Sequence, residues 1–526
     1  MKFLPIVERE LRVAARRAGT YWTRMGVAAV AVVFVFFVAG TMGRQVSSAN
    51  LGTSIFATIS VIAFILCTLV GIVNTADCIS EEKREGTLGL LFLTDLRGID
   101  VVLGKLAATS MTSFYSLLGI VPILAIPMLL GGTEWTKFGA MVLVLLNTMF
   151  LSLALGMRVS CHGKNERANG FLTGLAMLML TLGIPAIGML IYYWLDMRSI
   201  EPGAVFTWPS PVYTISLVFE SSLSKTWTSD FWGSLIVQHV IAWGAILLSA
   251  RNLPNSWQDR AETVAQVKRR FTWKQRAYGK DEVRRAYRER LMGINPYFWL
   301  VARDRLKPSY TWLWVAVVFA GWMYFLFSWT DRYTKEPLAW MTMHTLHWSI
   351  RFWLVSEATA RLAQDRQSGA LELILSTTIS VEDILKGHYL ALRRQFLGPV
   401  IFILSFDVYL LSMLRDDGDT MAMWMISMAI FVMDIFAIGT VGMWAGLKAR
   451  KAALASGSVA TKILVLPGFV MMCIMMLSVF GSGRMNGDSM YVVWFVINLV
   501  NALAFGLSAK SNLLSRFREV AAGEKK

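Results

Sequence analysis

Charge is scarce in this chain: only 16% of its 526 residues are Asp, Glu, Lys or Arg, against about 25% in ordinary soluble domains. That scarcity excludes a water-soluble globule of this length. Cysteine is sparse too, with four in all (Cys67, Cys78, Cys161 and Cys473). None falls in a predicted outer loop and no C-x-x-C or Cys/His cluster has ligand spacing. Neither a disulfide framework nor a metal centre is therefore expected. A phosphate-binding G-x-x-x-x-G-K-[ST] loop is also missing. Gly279-K-D281 lacks both the upstream glycine spacing and the hydroxyl. The chain is expected to bind no cofactor of its own and to be no enzyme.

Apolar residues are abundant, at 55%, and the mean hydropathy is +0.52. They are gathered into blocks of the length, about 20 residues, that a helix needs to cross the hydrocarbon core. The blocks predict an all-α polytopic membrane protein of about twelve transmembrane helices. The spans lie near 25–43, 54–75, 107–130, 139–157, 170–195, 231–250, 310–328, 340–358, 396–414, 421–446, 463–481 and 489–508. The first 24 residues are polar and basic and lead straight into the first span, so no cleavable signal peptide is expected.

A net charge of +16 raises the question of nucleic acid, and location answers it. Most Lys and Arg fall in the segments that an even number of spans places on the N-terminal side, and fifteen are in 251–309 alone. This is the positive-inside pattern. It predicts a multi-pass plasma-membrane protein with both termini in the cytoplasm and the lipid bilayer as partner, with no nucleic acid.

The chain repeats itself. Glu82-K-R-E-G-T-L-G-L-L-F-L-T-D-L-R-G-I-D-V-V-L-G104 returns as Asp365-R-Q-S-G-A-L-E-L-I-L-S-T-T-I-S-V-E-D-I-L-K-G387, at a constant offset of 283. Each copy follows the second span of its half. Val7-E-R-E-L-R12 is echoed by Val301-A-R-D-R-L306, and Gly156-Met157 with Lys164 by Gly442-Met443 with Arg450. The organisation expected is a six-helix domain over 1–250, a basic linker over 251–294, and a parallel six-helix domain over 295–526. The linker, with Val267-K-R-R-F-T-W-K-Q-R276, reads as a solvated segment near anionic headgroups or as a surface for a cytosolic partner.

Within the repeat, Gly86 and Gly369 should break the helix running inward from the second span. A short helix with one apolar face should follow (Leu88, Leu90, Leu91; Leu371, Leu373, Ile374). Ser380-V-E-D383 fits a capping box that restarts a helix. Acidic residues beside these short helices argue for a protein partner over a resting place among anionic headgroups.

At these residues the chain resembles the type-2 ABC exporter permeases. Ser80-E-E-K-R-E-G-T-L-G-L-L-F-L-T-D-L, followed by Asp100 and Gly104-Lys105, is similar to that family's coupling-helix loop, and Gln364-D-R-Q-S-G-A-L-E-L-I-L-S-T377 is the same element again. The segments around Arg9 and Arg303 resemble its amphipathic elbow helices. The resemblance implies two fused six-helix transmembrane domains driven by two copies of a separate ABC ATPase subunit, which would hold the ATP and Mg. It implies that Glu82, Gly86, Thr87, Leu88, Asp365, Gly369, Ala370 and Leu371 transmit the ATPase motion. It also implies that the segment 196–230 forms a hairpin dipping back between the fifth and sixth spans. Gln364 and Ala370, where the first copy has Glu81 and Thr87, suggest docking sites of unequal strength.

Ionisable groups inside spans cost about 2.5–3.5 kcal/mol each. The first half has only His239 and the uncharged Asn147. The second has His344, His347 and Arg351 in span 8, Asp407 in span 9 and Asp434 in span 10. His344, His347 and Arg351 follow at i, i+3 and i+7 and should share a helix face. Their depth pairs Arg351 with Asp434 or with Asp407. The group is either a buried packing device or part of a transport pathway. An ion-coupled secondary transporter working without an ATPase is the alternative function, and a docking platform with no transport role is a third.

Overall fold

The computed structural model describes residues 47–93, 96–163, 165–194, 204–220, 225–255, 281–328, 332–413, 418–449, 452–480 and 487–522, with isolated positions elsewhere. Most of the first span, the elbow around Arg9, Lys164, Arg450 and most of the basic linker lie outside the described residues. Among the described residues the chain is helical, without a strand. Nine helices among the described residues are long and apolar enough to cross a membrane. It is an all-α transmembrane protein. It divides into two compact units, Met1–Ala261 and Glu262–Lys526, and the division falls within the predicted linker.

In the first unit, α1 (Ser48–Asn74) turns through residues 75–77 into α2 (Cys78–Glu85) and then α3 (Leu88–Phe92). The helices α4 (Gly98–Leu129), α5 (Trp135–Ser160) and α6 (Glu166–Leu178) follow. A π turn, Met179–Gly183, leads to α7 (Ile184–Trp194). The short α8 (Ala204–Thr207) and α9 (Pro211–Phe219) precede α10 (Lys225–Asn252). Helix α5 is central, with α1 and α10 along its sides.

The second unit opens with α11 (Asp281–Met292) and α12 (Pro296–Ala302). Then come α13 (Lys307–Ser328), α14 (Arg332–Gln367), α15 (Ala370–Leu375), α16 (Val381–Met413) and α17 (Gly418–Lys448). Helix α18 (Ala452–Val459), a π turn at Ala460–Val465 and α19 (Leu466–Phe480) form one broken rod. The unit ends with α20 (Gly487–Ser515) and α21 (Phe517–Ala521). Helix α17 is central, flanked by α14 and α20, so the fourth predicted span of each half is the hub of its unit. Helices α4 and α16 begin 283 residues apart, at Gly98 and Val381.

Small residues let the hubs come close. A Cβ on Gly71 would overlap the Ser152 carbonyl, and one on Gly156 would overlap Thr75 Oγ1. Across the same seam Ser152 Oγ donates to Thr68 O at 2.7 Å and Thr75 Oγ1 to Leu153 O at 2.9 Å. In the second unit a Cβ on Gly442 would lie 2.6 Å from Ala358 Cβ, and Ala358 is the repeat partner of Thr75. Lipid is as apolar as a leucine side chain, so such helices are held by close packing and hydrogen bonds rather than by expulsion from water.

The two π turns are a further repeat, and each precedes a proline. Ile184 N–H reaches back five residues to Met179 O, and Leu466 N–H to Thr461 O. Pro185 and Pro467 then have no N–H to give, leaving a carbonyl free in each helix. Ser210 Oγ donates to Thr181 O at 2.6 Å and Asn501 Nδ2 to Lys462 O at 3.0 Å.

Candidate functional site

The repeated segments are built alike. Gly86 (φ 73°) and Gly369 (φ 71°) both adopt the left-handed conformation, which ends α2 and α14 as a C′ residue ends a helix. In the first copy the break comes twice, because the turn at 75–77 already interrupts the rod before Gly86. Thr87 N–H bonds Glu82 O at 3.0 Å and Gly86 N–H bonds Lys83 O at 3.4 Å. After each glycine a leucine is driven inward: Leu88 is 1% and Leu371 0% exposed. Ala370 opens α15 between Gly369 and that leucine. Their neighbours point out, with Leu90 62%, Leu93 80% and Leu373 72% exposed. The following helix restarts on a carboxylate: Asp100 accepts from Arg97 N–H at 3.2 Å, and Asp383 accepts from Ser380 Oγ at 2.6 Å.

Two of the acidic residues, Glu82 and Asp365, point elsewhere than the sequence suggests, while Glu85 and Glu372 are exposed. Glu82 forms a 2.6 Å ion pair with Lys105 of α4. Asp365 is buried and accepts from Arg361 Nε and Tyr297 Oη, each at 3.0 Å. These carboxylates tie the segment to its own unit, so they are no argument for a partner. The exposed leucines, which composition alone does not separate from the buried ones, are the feature a partner would meet. Burial, with the Asp365 carboxylate beside it, pushes the Tyr297 hydroxyl far above the ordinary tyrosine range, so it stays a donor at any physiological pH.

Each segment is also clamped from outside. Ser160 Oγ at the end of α5 accepts from Ile79 N–H (2.9 Å) and Ser80 N–H (3.1 Å), two of the unsatisfied donors at the start of α2. Lys83 Nζ donates to the Cys161 carbonyl. In the second unit Arg366 donates to Leu447 O (2.7 Å) and Lys448 O (3.0 Å) at the end of α17, a cation at a helix C-terminus. Helix α12, beside Arg303 where the elbow was expected, lies on the start of α16. Asn295 caps it and donates to Asp383 O at 2.9 Å, and Gly387 lets it approach.

The buried charges of the second unit fall into two pairs. Arg351 Nε lies 3.0 Å from Asp434 Oδ2, an ion pair rather than an aligned hydrogen bond. Of its two possible carboxylate partners, it meets Asp434. The other, Asp407, bonds His347 Nε2 at 2.8 Å. The Phe431 ring joins the pairs: His347 stacks on it with centroids 4.0 Å apart, and the Arg351 guanidinium lies 5.5 Å from its centre. His344 does not share their environment. It is exposed, and its Nδ1 bonds Trp340 O of its own helix at 2.9 Å. The i, i+3, i+7 spacing aligns the three residues roughly in azimuth and puts His344 about two turns from Arg351; at that level the ring is exposed and held along its own helix.

The first unit has a neutral counterpart that sequence reading saw only in Asn147 and His239. Asn147 Nδ2 donates to Gln238 Oε1 at 3.0 Å, and Asn147 Oδ1 lies 3.0 Å from His239 Nδ1. Gln238 Nε2 reaches Thr214 Oγ1, Ser234 Oγ and Trp208 O at 2.7, 2.9 and 3.2 Å. Ser210 and Thr214 bring α9 into this network against α5 and α10, which places that short helix inside the unit. Serine and threonine scattered through apolar runs carry no signal until helices meet. Among the described residues no three metal-ligating side chains converge. No protein-family model and no curated protein matches the chain, so the residues and their geometry carry the functional argument.

Proposed function

We propose that the chain is the membrane-spanning permease of an ATP-driven exporter, pulled through its two repeated segments by two separate ATPase subunits that hold ATP and Mg. The observation that supports this reading is the pair of left-handed glycines 283 residues apart, each followed by a short helix with one leucine buried and another left in the open. A buried leucine transmits force into the bundle, and an exposed one gives a partner an apolar grip. The proposed count is twelve spans. To the nine apolar helices it adds 25–43, α13 and α14, the last with its hydropathy lowered by His344, His347 and Arg351. Both termini then face the cytoplasm, as the basic segments require, and the membrane is the plasma membrane.

The test is co-purification followed by reconstitution. The full chain is expected to retain an ATPase subunit, and Leu90→Glu with Leu373→Glu is expected to release it while leaving thermal stability unchanged. Transport by the lone chain under an ion gradient, with no nucleotide, would replace this reading by the secondary-transporter one.

A further inference from the structure

We propose that His347 and Asp407 form a proton-binding site buried in the second unit, a role separate from whatever drives the protein. Asp407 is fully buried on α16, and only its Oδ2 is engaged, by His347 Nε2. Its Oδ1 has no hydrogen-bond partner among the described residues. A carboxylate placed in an apolar bundle for structure alone ordinarily has both oxygens satisfied. Here its charge is met on one edge only, by a ring that can itself carry or release a proton.

Charge balance points the same way. Arg351 and Asp434 cancel, so with a neutral His347 the four side chains carry one net negative charge. The neutral ring's own proton already lies on Nε2 in the bond to Oδ2, so one further proton taken from water onto His347 Nδ1 or Asp407 Oδ1 brings the total to zero, and its return to water restores the charge. Only an N–H or O–H bond forms and breaks. At low dielectric the neutral state avoids an uncompensated buried ion. The charged or titratable groups acting on His347 are Asp407 of α16 and, from its own helix, Arg351 and His344. Helix α17 adds Asp434 through Arg351 and stacks Phe431 on the imidazole.

The first unit is an internal control. At the repeat offsets, His347, Arg351, Asp407 and Asp434 correspond to Phe64, Thr68, Leu124 and Thr148. Phe64 and Leu124 belong to the core of that unit. The corresponding helices of the first unit are therefore packed without any of these four charged or titratable side chains. Their presence in one unit alone assigns them another task, and the orphaned oxygen beside a histidine identifies it.

The experiment uses the full chain in lipid nanodiscs with 15N-labelled histidine. With five histidines in the sequence, the His347 ring signals are identified by their loss in His347→Gln. They are expected to change in a single step between about pH 5 and 8, and in Asp407→Asn that step is expected to move by about one pH unit or more. Signals that ignore pH, or that titrate identically with and without the carboxylate, overturn the proposal. If Asp407→Asn fails to fold, the double variant His347→Phe/Asp407→Leu, which copies the first unit, decides. It is expected to fold and to lose part of the pH dependence of the wild-type unfolding temperature; an unchanged pH dependence overturns the proposal.

Discussion

Arg351 and Asp434 show what a buried ion pair does and does not contribute. Each alone would leave an uncompensated charge among apolar helices, at a cost of about 3–5 kcal/mol. Arg351→Leu and Asp434→Leu are each expected to lower thermal stability by that order, and the double variant to recover most of it. A double variant that loses the sum of the singles would show that the two act separately. Tyr297 is a milder case. Tyr297→Phe removes a donor from buried Asp365, which Arg361 still holds, so a loss of about 1–2 kcal/mol of stability is expected, seen as a lower unfolding temperature. Cys161 gives a pH-dependent readout. Burial pushes its thiol up to about 11, so the folded state keeps the proton more tightly than the unfolded one. The stability this contributes is complete below the ordinary thiol range and lost as pH rises towards about 11. Iodoacetamide is expected to spare Cys161 at neutral pH and to label it once the chain is unfolded.

At the scale of the element, the glycines that end α2 and α14 have open space where a Cβ would stand. The only cost of a side chain there is conformational. Gly86→Ala and Gly369→Ala are expected to lose about 1–2 kcal/mol each, with Asn better tolerated, as thermal unfolding would show. Gly71 is the opposite case, since its cost is collision: Gly71→Val must push α1 away from α5 and is expected to cost more than either alanine. The helix breaks at both glycines were legible from composition, as was the short apolar helix after each. The turn at 75–77 was not, because Thr75, Ala76 and Asp77 have no strong helix-breaking character; Thr75 Oγ1 is instead drawn across to Leu153 O of α5. The π turns escaped for a related reason. Proline marks a helix irregularity, yet whether it kinks, ends or widens the helix depends on which donor reaches the freed carbonyl.

At the scale of the whole molecule, each unit has a core of its own. Residues 262–526 expressed alone are expected to give a helical, cooperatively unfolding membrane protein in which the Arg351 and Asp434 double-variant behaviour persists. Non-cooperative melting of that fragment would show that the unit depends on the rest of the chain.

What the sequence determined by itself is whatever follows from local composition and from solvent. Apolar blocks of span length dictate helices in lipid, because no other isolated segment satisfies its own backbone there. The two-fold repeat is equally a property of the string. The tertiary structure alone decided partnership: which carboxylate Arg351 meets, that Glu82 and Asp365 turn inward while Leu90 and Leu373 remain outside, and that Asn147 and Gln238 bond through the first unit. Spacing along one helix gives azimuth and depth, but a contact also needs the position of a second helix, and that is settled by packing among residues far apart in the chain.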